Sequence, residues 1–226
     1  MSSEGAASFD VKMLVAQAMA KLPNLDHLET DEGFAGIIAT SSLLASITSL
    51  DFISESGSLS SGAVLIARCP NLKSLELTTW ASRAEELPAL VAAAASRTSL
   101  TGLSIGGSFA GEYLGDALAT RNWKCPLGSL FIHSNEDYPL PIFHTFISHF
   151  TSTLTVLFIR LNALWFLNDF DTLAPLHLPH LVTLHLEWAE ECDDNEQFPA
   201  PPATNVPRLF DDSPILDAQL FSDSGV

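Results

Sequence analysis

The chain has 226 residues, 47% of them hydrophobic and 16% charged, which is enough apolar material for a sizeable core in one domain or a short repeat array. Acidic residues outnumber basic ones 27 to 10, a formal charge of −17, so the chain would repel phosphate, and neither nucleic acid nor a membrane surface is an expected partner. Cys69, Cys125 and Cys192 stand far apart, giving no disulfide framework and no CxxC metal pair.

Taken in chain order, Met1–Gly5 carries an acid where a secretory signal needs bases. The apolar residues of 8–22 (Phe9, Val11, Leu14, Val15, Ala18, Met19, Leu22) recur at helical spacing, which predicts an N-terminal capping helix within residues 1–24. From residue 25 onward one template repeats: apolar, two variable, apolar, one variable, apolar. It fits Leu25–Thr30, Ile47–Phe52, Leu72–Leu77, Leu100–Ile105, Leu127–Ile132, Leu154–Ile159 and Leu181–Leu186. Successive first positions are 22, 25, 28, 27, 27 and 27 residues apart, and among the second and third apolar slots Thr30 alone is not hydrophobic. Alternation at period two predicts a short strand with one buried face in each segment.

Helix-like segments fall between the strands. The clearest is Ser82–Ser96, where Ser82 and Glu85 have capping-box spacing before an apolar run; Ser60–Ala67, Phe109–Thr120 and Ile142–Phe150 are the others. A unit this small cannot bury its apolar face alone, so neighbours must stack. Residues 190–226 hold nine acids, one base (Arg208) and five prolines. They read as an acidic, mostly disordered tail, with Pro214–Phe221 as an apolar stretch able to dock back on the array.

The template resembles the leucine-rich repeat, L-x-x-L-x-L-x-x-N, over residues 25–189. Asn135 and Asn162 match the family's asparagine, while Gly33, Glu55, Trp80, Ser108 and Ala189 stand in the other five such slots. The resemblance implies an α/β solenoid, or horseshoe, of about seven repeats, with parallel strands on the concave face and helices on the convex face. It also implies buried Asn135 and Asn162 amides in the turns after their strands. The lead-ins Leu22–Leu25, Cys69–Leu72 and Leu178–Leu181 resemble repeats of fungal F-box-type proteins, although no F-box precedes residue 25. That similarity implies a diverged or truncated substrate receptor of an SCF-type ubiquitin ligase.

Several residue sets invite chemistry. Gly102-Leu-Ser104-Ile-Gly106 fits the G-x-S-x-G nucleophile elbow of a serine hydrolase, yet Leu103 and Ile105 occupy repeat core slots, making Ser104 an outward strand residue. His144 and His149 lie five apart on an expected helix and do not align. His177, His180 and His185 lack a closed four-ligand spacing, so no metal and no cofactor is expected. Gly106, Gly107 and Gly111 form no phosphate loop.

What remains is the outward face of the strands. Its middle column runs Glu29, Asp51, Glu76, Ser104, Phe131, Phe158, His185, and the next runs Asp31, Ile53, Thr78, Gly106, His133, Arg160, Glu187. The first half is acidic and small; the last three strands place Phe131 and Phe158 side by side. Neighbouring surface aromatics beside an arginine are what interface anchors are made of. The expected function is therefore a non-enzymatic module, monomeric, cytoplasmic or nuclear, binding a protein through Phe131, His133, Phe158, Arg160, His185 and Glu187. The alternative is an acidic chaperone-like binder of basic proteins such as histones. In this register Leu157 and Leu184 face the core, whereas Thr155 and Thr183 face outward and should tolerate alanine.

Overall fold

The computed structural model describes residues 13–15, 17–19, 21–55, 58–80, 84–107, 117–119, 122–134, 140–162, 176–189 and 217–223. Its frame is one eight-stranded sheet in which the strand order equals the chain order. The strands are β1 (His27–Asp31), β2 (Ser49–Ser54), β3 (Ser74–Thr79), β4 (Gly102–Gly107), β5 (Ser129–Ser134), β6 (Val156–Asn162), β7 (Thr183–Ala189) and β8 (Asp217–Asp223). Every adjacent pair is parallel. The protein is thus α/β with an all-parallel sheet, as the repeat period requires.

The side-chain alternation is the one read from the sequence. Leu50, Leu75, Leu130 and Leu157 are fully buried, and Phe52, Leu77, Leu103, Ile105 and Ile132 nearly so. Thr30, the exception in an apolar slot, is buried as well. Burying such side chains contributes about 1.5–3 kcal/mol each, which fixes the register because a one-residue slip would turn the whole set to the other face.

Between the strands lie helices α1 (Glu32–Ile38), α2 (Ser60–Arg68), α3 (Leu87–Ala95) and α4 (Leu140–Ser148). Residues 13–15, 17–19 and 117–119 are also helical. Helix α1 follows directly on β1 because Asp31 caps it, its carboxylate accepting from the Phe34 N–H at 3.0 Å. Helix α3 begins at Leu87, later than the expected Ser82: a single 3-10 turn, Ala84–Glu86, precedes it, and no side chain caps it locally. The supposed capping-box residue Ser82 lies outside the described residues. Phe52 fills the space above Gly62 so closely that any side chain there would collide with the ring.

Two hydrogen-bonded ladders tie repeat to repeat before each strand. In the first, the N–H groups of Thr48 and Ser49 both donate to the Asp26 carbonyl, at 2.8 and 2.9 Å. The same fork recurs from Lys73 and Ser74 to Thr48, Thr101 and Gly102 to Lys73, Gly128 and Ser129 to Thr101, Thr155 and Val156 to Gly128, and Val182 and Thr183 to Thr155. In the second, hydroxyls just ahead of the first leucine slot reach the preceding repeat: Ser46 to the Leu25 carbonyl (2.6 Å), Ser99 to Leu72 (2.7 Å) and Thr153 to Leu127 (2.8 Å). Asn71 Nδ2 donates to the Ala45 carbonyl at 2.7 Å. These ties lie in the segments that enter the strands. Thr155 is not a passive outward residue either, since its Oγ1 donates to the Gly128 carbonyl at 2.9 Å. Asn162 closes β6 rather than standing in a turn after it, and Asn135 lies outside the described residues.

Within the 190–226 segment, the apolar stretch read as able to dock back on the array reaches the sheet. Residues 217–223 form β8 in parallel register with β7, pairing Leu184 with Ala218 and Leu186 with Leu220. Read back, Ile215-Leu-Asp-Ala-Gln-Leu220 is an eighth copy of the template, starting 34 residues after Leu181. The rest of that segment lies outside the described residues.

Candidate functional site

One face of the sheet packs the core; the other carries the outward columns. The register confirms the middle column residue by residue: Glu29 opposite Asp51, then Glu76, Ser104, Phe131, Phe158 and His185, with Gln219 of β8 extending it. The next column aligns Gly106, His133, Arg160, Glu187 and Phe221. Five of the six expected binding residues have described side chains; for Glu187 the strand position opposite Arg160 is what the structure gives.

The aromatic half is a stack. The Phe131 and Phe158 ring centroids lie 5.9 Å apart with planes 28° from parallel, and Phe158 and His185 lie 4.3 Å apart at 10°. Strand spacing of about 4.8 Å forces neighbouring rings in one column to meet, and such ring pairs contribute about 0.5–1.5 kcal/mol beyond their burial. Phe131 remains 40% exposed at the open end of the row. His133 is exposed and Arg160 half-buried beside it.

The acidic half is a row of carboxylates on β1–β3. Burial together with the neighbouring Asp51 and Glu29 raises the Glu76 pKa above the ordinary glutamate value, because like charges in one column disfavour ionisation. His27 Nε2 lies 3.7 Å from Asp51. Beside this row, an open cleft of about 720 Å³ at the β1 edge is lined by Met19, Leu28, Phe34 and Ile38 with Glu29 and Asp31.

The other residues singled out by sequence have plainer places. Ser104 sits in the middle of β4, between Glu76 and Phe131, not at a strand-to-helix turn. Gly107, at the end of that strand, has φ 105°, where a side chain would strike the Thr79 carbonyl. His149 follows α4 and its Nε2 meets the Ala119 carbonyl at 3.1 Å. Burial pushes the Cys69 and Cys125 thiols up to about 11, so they stay protonated and unreactive near neutral pH; Cys192 lies outside the described residues. Among the described residues, no group of His, Cys, Asp and Glu could hold a metal ion, and no helix is long and apolar enough to cross a membrane.

Sequence reasoning missed a set of caps supplied from the next repeat. Helix α2 has no cap from its N-cap residue Leu59, and the Ser58 hydroxyl accepts from the Ser60 N–H only at 3.3 Å. Glu86, ahead of α3, accepts from the Ser60 N–H at 2.9 Å and from the Ser58 hydroxyl at 2.7 Å. At the other end of α2, Arg97 donates to the Ala67 carbonyl at 3.0 Å. An acid at the N-terminus and a base at the C-terminus both complement the helix dipole. The 26- to 30-residue separations hide this from any local pattern.

In comparison with known proteins, no family model, curated protein or solved structure matches this chain.

Proposed function

We propose that the chain is a leucine-rich-repeat solenoid that acts as a non-enzymatic binding module, holding a protein partner against the sheet face through Phe131, Phe158 and His185, with His133, Arg160 and Glu187 flanking them. The solenoid reading is supported by strand order equal to chain order and by one constant register. It also follows from spacing: strands sit about 4.8 Å apart and packed helices about 8–10 Å apart, so a stack of such units bends with the sheet inside. The observation that carries the binding reading is the ring row itself, outward-facing on a sheet whose opposite face already holds the core. Rings locked against each other lose little freedom when a partner arrives, so contact energy is not spent on ordering them.

The test is partner capture by the full chain and by the double variant Phe131→Ala, Phe158→Ala. Capture should be lost while the thermal melt remains cooperative. If that variant still captures the partner and Glu29→Ala with Glu76→Ala does not, the site lies in the acidic half. On the reading taken from the fungal F-box resemblance, the partner is a ubiquitin-ligase substrate; recovery of SCF adaptor subunits with the chain supports it, and their absence removes it.

A further inference from the structure

The outward column is one continuous stripe at right angles to the strands, and its two ends have opposite chemical needs. Glu29, Asp51 and Glu76 stand on consecutive strands, and among the outward positions of β1–β4 the sole basic residue is His27, 3.7 Å from Asp51. The negative field at that end is left for an incoming group to neutralise. At the other end the rings of Phe131, Phe158 and His185 offer flat apolar contact, and in the adjoining column Arg160 stands between His133 and Glu187, so that end carries no excess of negative charge to attract a cation.

Resting on the binding reading above, we infer that the partner is an extended protein segment with an uncharged aromatic or aliphatic anchor on the rings and a Lys/Arg block on the Glu29–Asp51–Glu76 row. The geometry sets their separation. Asp51, the middle acid, and Phe158, the middle ring, stand on β2 and β6, four strand spacings or about 19 Å apart, which an extended chain rising about 3.3 Å per residue covers in about six residues. Ser104 and Gly106 on the intervening β4 are small, leaving the path between the two ends low. The acidic row supplies charge steering and orientation, the rings supply anchoring, and together they admit the segment in one direction only.

The experiment uses labelled synthetic peptides and the full chain, read by fluorescence anisotropy. One peptide carries a tryptophan, a Gly/Ser spacer of about four residues and Arg-Lys-Arg, which puts the middle base about six residues from the ring anchor and matches the column geometry; a second replaces the basic block with Glu-Glu-Glu; a third shortens the spacer to about one residue. The first should bind at least about tenfold more tightly than either of the others, a difference of about 1.4 kcal/mol, and its advantage over the Glu peptide should shrink as salt is added. The variant Glu29→Gln, Asp51→Asn, Glu76→Gln keeps side-chain shape and should erase the preference for the basic block while a weaker, ring-dependent interaction survives. Equal binding of the basic and acidic peptides, indifference to the spacer, or no binding of any peptide overturns the inference. If Phe131→Ala, Phe158→Ala removes binding but the amide variant changes nothing, the charged half of the inference falls and the ring-anchored reading stands. If neither variant changes binding, both fall.

Discussion

Strands β1–β3 and β5–β7 share one construction and present different surfaces. Both halves bury their described leucine slots, and both are joined by the same forked bonds to the carbonyl of the residue just before the preceding strand. On the outward side one half shows three carboxylates and the other three stacked rings. Scaffold and specificity are therefore separable in this chain. The inward slots are held to a narrow choice of residue by packing, whereas the same backbone register accepts carboxylates at one end of the outward column and rings at the other.

The largest expected effects test whether the two halves are one scaffold. Leu75→Ala in the acidic half and Leu157→Ala in the aromatic half, both fully buried, should each cost about 2–5 kcal/mol in denaturant unfolding. The half-buried, outward Thr183 should change by less than about 0.5 kcal/mol on replacement by alanine. A tolerant Leu157 beside a sensitive Thr183 would mean that the register of the aromatic half is wrong.

A smaller effect separates repeats that lend caps from those that do not. Glu86→Ala should cost about 0.5–2 kcal/mol, in the range of a lost N-cap, although Glu86 belongs to the turn before α3 and the helix it caps is α2. Hydrogen exchange should show the loss at the first turn of α2. Protection lost in α3 instead would show that Glu86 acts on its own repeat.

The smallest effect concerns charge. Because the folded-state pKa of Glu76 is raised, chiefly by burial and then by Asp51 and Glu29, the fold binds its proton more tightly than the unfolded chain does. Its contribution to stability is complete below the ordinary glutamate pKa and is lost as pH rises through the raised value. Glu76→Gln should therefore melt higher than the parent at about pH 7 and lose that advantage at about pH 4. No corresponding change is expected for Phe158→Leu, which carries no titrating group. A Gln variant that is equally advantaged at both pH values would assign its effect to packing rather than repulsion.

How much was legible in the sequence follows the range of the interactions. The columns from Glu29 to His185 could be read because side-chain direction alternates with strict period two and the template recurs at nearly constant spacing. The buried leucines could be read for the same reason. The helix boundary at Leu87 could not, because the capping residue Glu86 faces another repeat. The hydroxyl ties of Ser46, Ser99 and Thr153 left a trace, a serine or threonine just before three of the seven first apolar slots, but its meaning depends on a carbonyl 21 to 27 residues upstream. Ile215–Leu220 carries the template openly; its 34-residue offset and acidic surroundings hid it. The ring row was expected at the place where it lies, although the tight Phe158–His185 stacking depends on side-chain rotation that period two does not encode.

The borrowed caps of α2 have a consequence for how the protein is made. A ribosome delivers Ser60–Arg68 well before Glu86 and Arg97, so the nascent helix emerges without its two charged caps, which belong to sequence still to come. For this helix synthesis runs one way, the following unit closing the one before it, and a product cut short between Arg68 and Glu86 would release a chain whose last helix lacks the two groups that cap it.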